Sequence, residues 1–229
     1  GVSTSRFGTG IAGGVQAIFS DILSRDQIFA SASVNGEIYD FGAQVAYVNQ
    51  QSRWNWGGAL SHIPQQFPSF GFNPNATLET NNGPINVFEE FEDIIRVFER
   101  SAQGFTSYPF SKITRVEFGA GIARYSYRID RFSTYYNQSG FPVFQDRRKI
   151  DISTLNTPTG FNLRPYTNIQ LNTALVGDNS FMGVASPLNG YRYRIGIEQN
   201  FGTFQFTAPT IDLRKYVRAK PVTFAGRLY

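Results

Sequence analysis

The chain contains no cysteine among its 229 residues, and only one histidine and one methionine. Without thiols it can carry neither a disulfide framework nor a thiolate metal site, and a single imidazole leaves no His-rich zinc site. No metal or cofactor is therefore expected. Long apolar runs are missing too: no stretch approaches the roughly 18 consecutive apolar residues of a membrane-spanning helix. Charge of one sign is not concentrated either. The net charge is +4 and the pI about 9.4, but Lys and Arg lie scattered among Asp and Glu without runs. Such scatter does not make a basic stripe, so no nucleic-acid partner is expected. No secretory signal stands at Gly1, and the sequence reads as a mature form or an excised piece.

What the chain has in excess is aromatic side chains: 22 Phe, 12 Tyr and 2 Trp make 16% of the residues, while mean hydropathy is only −0.26. A β-barrel in a membrane hides its hydrophobicity in every second residue, so averaged hydropathy misses it. Strand-like tracts recur near 11–19, 27–35, 39–49, 52–62, 93–107, 112–129, 145–152, 165–177, 189–202, 203–217 and 221–228. Helical periodicity is nearly absent. Several tracts match the roughly 9–11 residues that cross a bilayer at a tilt.

The alternation is regular in the better tracts. Phe41, Ala43, Val45 and Tyr47 share a face, with Gly42, Gln44 and Ala46 opposite; Val116, Phe118, Ala120 and Ile122 oppose Arg115, Glu117, Gly119 and Gly121. Ile169, Leu171 and Leu175 oppose Asn168, Gln170 and Asn172. From Tyr191, the residues Tyr191, Tyr193, Ile195 and Ile197 alternate with Arg192, Arg194, Gly196 and Glu198. In a soluble sandwich the charged face meets water, whereas in a transmembrane barrel it lines the lumen. Arginine on the lipid face would cost about 2–4 kcal/mol at the midplane. On the barrel reading, Arg115, Glu117, Arg192, Arg194 and Glu198 form a polar ladder in the lumen. Tyr47, Trp54, Trp56, Tyr108, Tyr191 and Tyr193 then belong to aromatic girdles at the membrane interfaces.

Connections support the same choice. Tight turns are read at 21–27, 49–52, 107–112 and 200–203, and long Asn/Pro/Gly-rich external loops near 63–90, 130–145 and 178–189. Counted strand by strand, the short turns fall on one side and the long loops on the other, as in outer-membrane barrels. That parity places the start of the 11–19 strand on the external side and suggests that a beginning is missing.

The stretch FGTGIAGGVQAIFSDILSRDQIFASASVNGEIYDFGAQVAYVNQQSRWNWGGALSHIP, the segment YPFSKITRVEFGAGIARYSYRID and DNSFMGVASPLNGYRYR together resemble the bacterial surface-antigen superfamily of outer-membrane barrels. That superfamily includes BamA-type assembly factors. The likeness is to a subgroup whose barrel follows a periplasmic Tol-type β-propeller. Asp178, Asn179, Pro187, Gly190 and Arg192 sit at the spacing of that subgroup's D-N…P-x-x-G-x-R element. The later V-R-G-F/Y tetrapeptide of the superfamily is absent, and the ten to eleven strands present correspond to a front part of its sixteen-stranded barrel. The resemblance implies a role in inserting, assembling or exporting proteins at the bacterial outer membrane, with outer-membrane lipid, envelope proteins or a further part of the same polypeptide as partners. A membrane anchor for a periplasmic domain or complex, and a small-solute pore, are the alternatives.

An enzyme is not expected. Ser61 and His62 are adjacent on a strand and point to opposite faces, so they cannot form a nucleophile and base pair. Glu89, Glu90, Glu92 and Asp93 lack the Gly-bearing spacing of a calcium loop and read as a solvated acidic loop.

Overall fold

Period-two alternation does become strand. The structure, a computed structural model, describes residues 2–5, 8–80, 83–152, 163–184 and 186–229. Thirteen strands follow in chain order: β1 Val2–Ser5, β2 Gly8–Ser20, β3 Asp26–Gly36, β4 Phe41–Asn49, β5 Asn55–Thr80, β6 Gly83–Pro109, β7 Thr114–Tyr136, β8 Pro142–Ile150, β9 Tyr166–Asp178, β10 Phe181–Met182, β11 Pro187–Gly202, β12 Phe206–Ala219 and β13 Val222–Leu228. One 3₁₀ turn, Ile38–Asp40, joins β3 to β4, and no α-helix occurs among the described residues. All pairings are antiparallel. Eleven strands lie edge to edge in the order β1-β2-β3-β4-β5-β6-β7-β9-β11-β12-β13. Among the described residues β1 and β13 do not pair with each other, so the sheet stays open and fits part of a barrel rather than a closed one.

The hydrogen-bonded register shows that the sheet is sheared. One row runs Phe19, Ile28, Tyr47, Gly58, Gly104, Ala120, Leu171, Gln199, Thr207. It starts near the end of β2 and finishes near the beginning of β12, although these two strands, eight antiparallel steps apart, run in the same direction. A stagger of this kind is what strands tilted in a barrel wall require.

Three expectations about connections are corrected. Residues 63–90 are not an irregular loop: β5 and β6 run through them as a paired ladder from Asn55↔Ser107 to Thr80↔Gly83. The prolines that suggested a loop, Pro64 and Pro68, lie above the last β4–β5 pair, Ala43↔His62. There β5 has no neighbour on its β4 side, and an edge tolerates a missing N–H. Past His62, β5 continues to Thr80, about 60 Å at 3.4 Å per residue. Residues 130–145 are likewise mostly strand: β7 extends to Tyr136, and β8 turns back on it through a turn in which the Asn137 side chain accepts the Ser139 and Phe141 amides at 3.0 and 2.9 Å.

The third correction concerns the sorting of loops. β8 pairs with the upper part of β7 (Ile129↔Ile150) and β9 with its lower part (Thr114↔Gly177, Tyr125↔Tyr166), so these two strands share one edge of one neighbour. Counting them as two positions inverts the parity of everything after them. The 178–189 connection therefore lies beside the 110–113 turn, with the Asp178 amide donating to the Ile113 carbonyl at 2.8 Å, and the 203–205 turn lies at the opposite end.

Few large side chains are buried. Among the described residues the buried hydrophobics are Ala76, Val87, Ile129, Phe132, Tyr135, Ala174 and Val176, and the first five sit in the long extension of β5–β7. Below it the sheet is a single layer with two exposed faces.

Candidate functional site

Strand alternation gives the two faces opposite chemistry. On one, Val15 and Phe19 of β2, Val45 of β4, Leu60 of β5, Phe118 and Ile122 of β7, and Ile195 and Ile197 of β11 stand 43–74% exposed. The register puts them on the same side in adjoining rows. Ile18 and Phe105 are exceptions, large apolar side chains exposed on the opposite, polar face. Over Gly104 and Ala120, which carry little side chain, the apolar face sinks into an open depression of about 720 Å³ between Trp56, Phe118, Leu171 and Ile197.

The polar face concentrates charge on β7, β9, β11, β12 and β13. Arg115 and Glu117 stand two residues apart on β7, and the Arg115 Nε donates to Glu117 Oε1 at 2.8 Å. β9 lies between β7 and β11 and offers only the short, buried Ala174 and Val176 at this level. Arg194 therefore crosses over them to ion-pair with the second Glu117 oxygen. Arg192 approaches Asp178 at 3.8 Å. Thus Arg115, Glu117 and Arg194 of the expected ladder are brought together, Arg192 pairs beside them, and Glu198 stands apart, accepting from the Asn200 side-chain Nδ2 at 2.8 Å.

Sequence reasoning missed the rest of the belt. Asp212 on β12 takes Arg214 at 2.6 and 3.1 Å and Arg227 of β13 at 3.0 Å through both oxygens. The signal was present, because D-L-R at 212–214 repeats, in reverse sign order, the alternate-residue pairing of R-V-E at 115–117. Five arginines face three carboxylates across the belt, so it keeps a positive excess. Because most of these side chains are partly exposed, each bridge contributes only about 0–1 kcal/mol. The belt's chemistry is a continuous band of paired charge rather than a catalytic centre.

The D-N…P-x-x-G-x-R residues also meet. The Asn179 amide donates to the Tyr191 carbonyl at 2.9 Å, and the Ser180 amide to Asp178 Oδ1 at 3.0 Å. Gly190 has φ +110°, and a Cβ there would lie 2.1 Å from the Asn179 carbonyl oxygen, so only glycine fits. The Ser180 hydroxyl and amide beside Asp178, aided by Arg192, hold its carboxyl below the ordinary aspartate range. Pro187 opens β11. These residues act as a clasp between the end of β9 and the start of β11.

All six expected girdle residues stand on the apolar face, but at one end of the sheet. Tyr47 meets Trp56 edge-on at 5.3 Å, Trp54 meets Tyr108 at 4.9 Å, and Tyr191 stacks with Tyr193 at 6.2 Å. That is the end carrying the 50–54, 110–113 and 178–187 connections.

Beyond the other end of the apolar band lies a second charged cluster that no spacing rule announced. Arg96 of β6 is 1% exposed and donates to Asp40 Oδ1 at 2.8 Å, ion-pairs with Asp130 of β7, and lies 3.5 Å from Glu37. Arg128 grips Asp130 at 2.8 and 2.9 Å and lies over the Tyr39 ring at 4.0 Å; Arg147 of β8 reaches Glu37 at 2.6 Å. Burial alone would raise the Asp130 carboxyl, but Arg128's hydrogen bond and the charges of Arg128, Arg96 and Arg147 outweigh it and hold it below its ordinary value. The cluster pins the β3–β4 turn onto the extension.

The acidic run splits between faces. Glu89 accepts from Ser133 at 2.7 Å and Asp93 holds Arg131 through two bonds of 2.7 Å, while Glu90 accepts from Tyr136 on the other side. Ser61 bonds Ser101 at 2.7 Å, and His62 on the opposite face stacks on Phe98. No group of residues with metal-ligand character assembles among those described. No family model matches this sequence, and neither curated proteins nor solved structures give a match.

Proposed function

We propose that this chain forms part of the wall of a β-barrel in the bacterial outer membrane and takes part in inserting, assembling or exporting proteins there. The observation that carries the membrane half is the exposed apolar face, which spans strand after strand opposite a self-paired charge belt. In water such a face would far exceed the few hundred Å² of contiguous apolar surface that a soluble monomer tolerates. In lipid it is the required surface, and the belt becomes the lumen lining. The aromatic end and the charged far end then mark two interfaces. The extension of β5–β7, about twice the roughly 30 Å of a hydrocarbon core, stands outside the membrane.

The protein-handling half rests on the resemblance of 7–64, 108–130 and 178–194 together with the free ladder edge of β13. An unpaired edge in lipid leaves backbone groups costing several kcal/mol apiece, and adding a strand satisfies them. A strand of another part of the polypeptide, or of a client protein, fits that edge.

A photo-crosslinking residue at Phe224, on the edge strand, tests this in cells. Adducts with outer-membrane precursors at Phe224 and none at Val45, within the wall, support the assembly role; depletion of the protein should then lower outer-membrane protein levels. The self-paired charge belt favours the second reading, a non-transporting anchor. No adducts and undisturbed outer-membrane proteins on depletion would establish the anchor in place of the assembly role. Selective ion current through the reconstituted protein would move it to the pore class.

A further inference from the structure

On the apolar face, the row immediately above Leu60, Ala102 and Ile122 is His62, Arg100 and Arg124, direct cross-strand neighbours on β5, β6 and β7. Arg100 and Arg124 are exposed and stand opposite one another, and neither makes an ion pair among the described residues. By contrast, the arginines of β7 and β8 from Arg128 to Arg148 find carboxylates. Like charges directly opposite across a ladder destabilise it. Two guanidiniums side by side form a fork suited to one multivalent oxyanion, and each presents donors in the plane that phosphate oxygens accept. The next row outward is Pro64, Phe98 and Ser126, and the carboxylates beyond it are already engaged by Arg96, Arg128 and Arg147.

We propose that Arg100 and Arg124 bind the phosphate group of a phosphorylated lipid in the outward-facing leaflet. This rests on the membrane reading, because the pair's position, one row above the apolar band, is the height of a lipid headgroup only if that band meets acyl chains. The acyl chains would then lie along Leu60, Ala102 and Ile122, and the phosphate would relieve the repulsion between the two arginines.

The test is native mass spectrometry of the detergent-extracted protein with a bis-phosphorylated glucosamine lipid and with its dephosphorylated form carrying the same acyl chains. The expected result is a preference for the phosphorylated form of on the order of tenfold, the effect of one charge-assisted hydrogen bond. The Arg100→Gln/Arg124→Gln protein should lose that preference. It should unfold in detergent at no lower a temperature than the parent, since the substitution removes a repulsion. Lys112→Gln/Lys220→Gln, an equal charge loss in connections remote from this row, should keep the preference. The proposal is overturned if the parent shows no preference, if the arginine variant retains it, or if the lysine variant loses it equally. Displacement of the lipid by millimolar inorganic phosphate would make this a free-anion site instead. Failure to retain either lipid would overturn the membrane reading itself.

Discussion

Replacing Arg96 by methionine should free the β3–β4 turn without disturbing the wall. The side chain is 1% exposed and bridges Asp40 and Asp130, themselves 3% and 2% exposed. Removing one member of a buried pair costs about 3–5 kcal/mol, because the remaining charge loses its partner without regaining water. Asp130 keeps Arg128, so the greater loss falls on Asp40, whose carboxylate keeps only the Glu37 amide. Hydrogen exchange reads this directly at the Asp40 amide, which donates to the Glu37 carbonyl at 2.9 Å. At 1.36 kcal/mol per tenfold, its exchange should accelerate by roughly a hundred- to several-thousand-fold. Exchange along β9, β11 and β12 should not change. Arg96→Met combined with Asp40→Asn should recover most of the protection, since Asp130 keeps Arg128 and no charge is then left without a partner. Unchanged exchange at Asp40 in Arg96→Met, or equal loosening in the double variant, would refute the clamp.

Gly177→Ala should destabilise the β9–β11 pairing by about 1–3 kcal/mol, as overpacking does, because the new Cβ would lie 2.2 Å from the Tyr193 ring; thermal unfolding in detergent measures it, and an unchanged midpoint would contradict the packing. The Asp178 carboxyl is held low by Ser180 and Arg192, so its contribution is complete above the ordinary aspartate range near 3.8 and disappears as pH falls through its lower folded value. Exchange of the Ser180 amide should accept this acid limb, and Ser180→Ala should move it toward higher pH. Asp212→Asn should loosen β13 selectively, seen as faster exchange from Val222 to Leu228, with high salt imitating part of the effect in the parent.

How far the fold was legible depended on the neighbours of each segment. Val116, Phe118, Ala120 and Ile122 lie in a strand flanked on both sides, and there alternation gave the face of every residue, including Arg115 and Glu117. Pro64, Pro68 and the Asn-rich run after them read as loop, because composition does not reveal that β5 is an edge at that height. The sharing of one β7 edge by β8 and β9 was invisible for a different reason: both segments alternate correctly, and only the register tells that they are stacked end to end. Charge pairs within a strand could be read from spacing, as with Arg115 and Glu117. Asp40, Arg96 and Asp130 could not, being 56 and 34 residues apart and joined only when the turn folds over.

The stacking of β8 above β9 separates two kinds of architectural freedom. The wall's register runs from β7 directly to β9, so the length of β8, the height of the extension and the chain between them can change without shifting any later strand by a residue. A detour that returns to the edge it left is neutral to shear. The extension can therefore drift in sequence and reach while the tilt and the face assignment of β9, β11, β12 and β13 stay fixed, like a balcony whose depth is set independently of the storey that bears it.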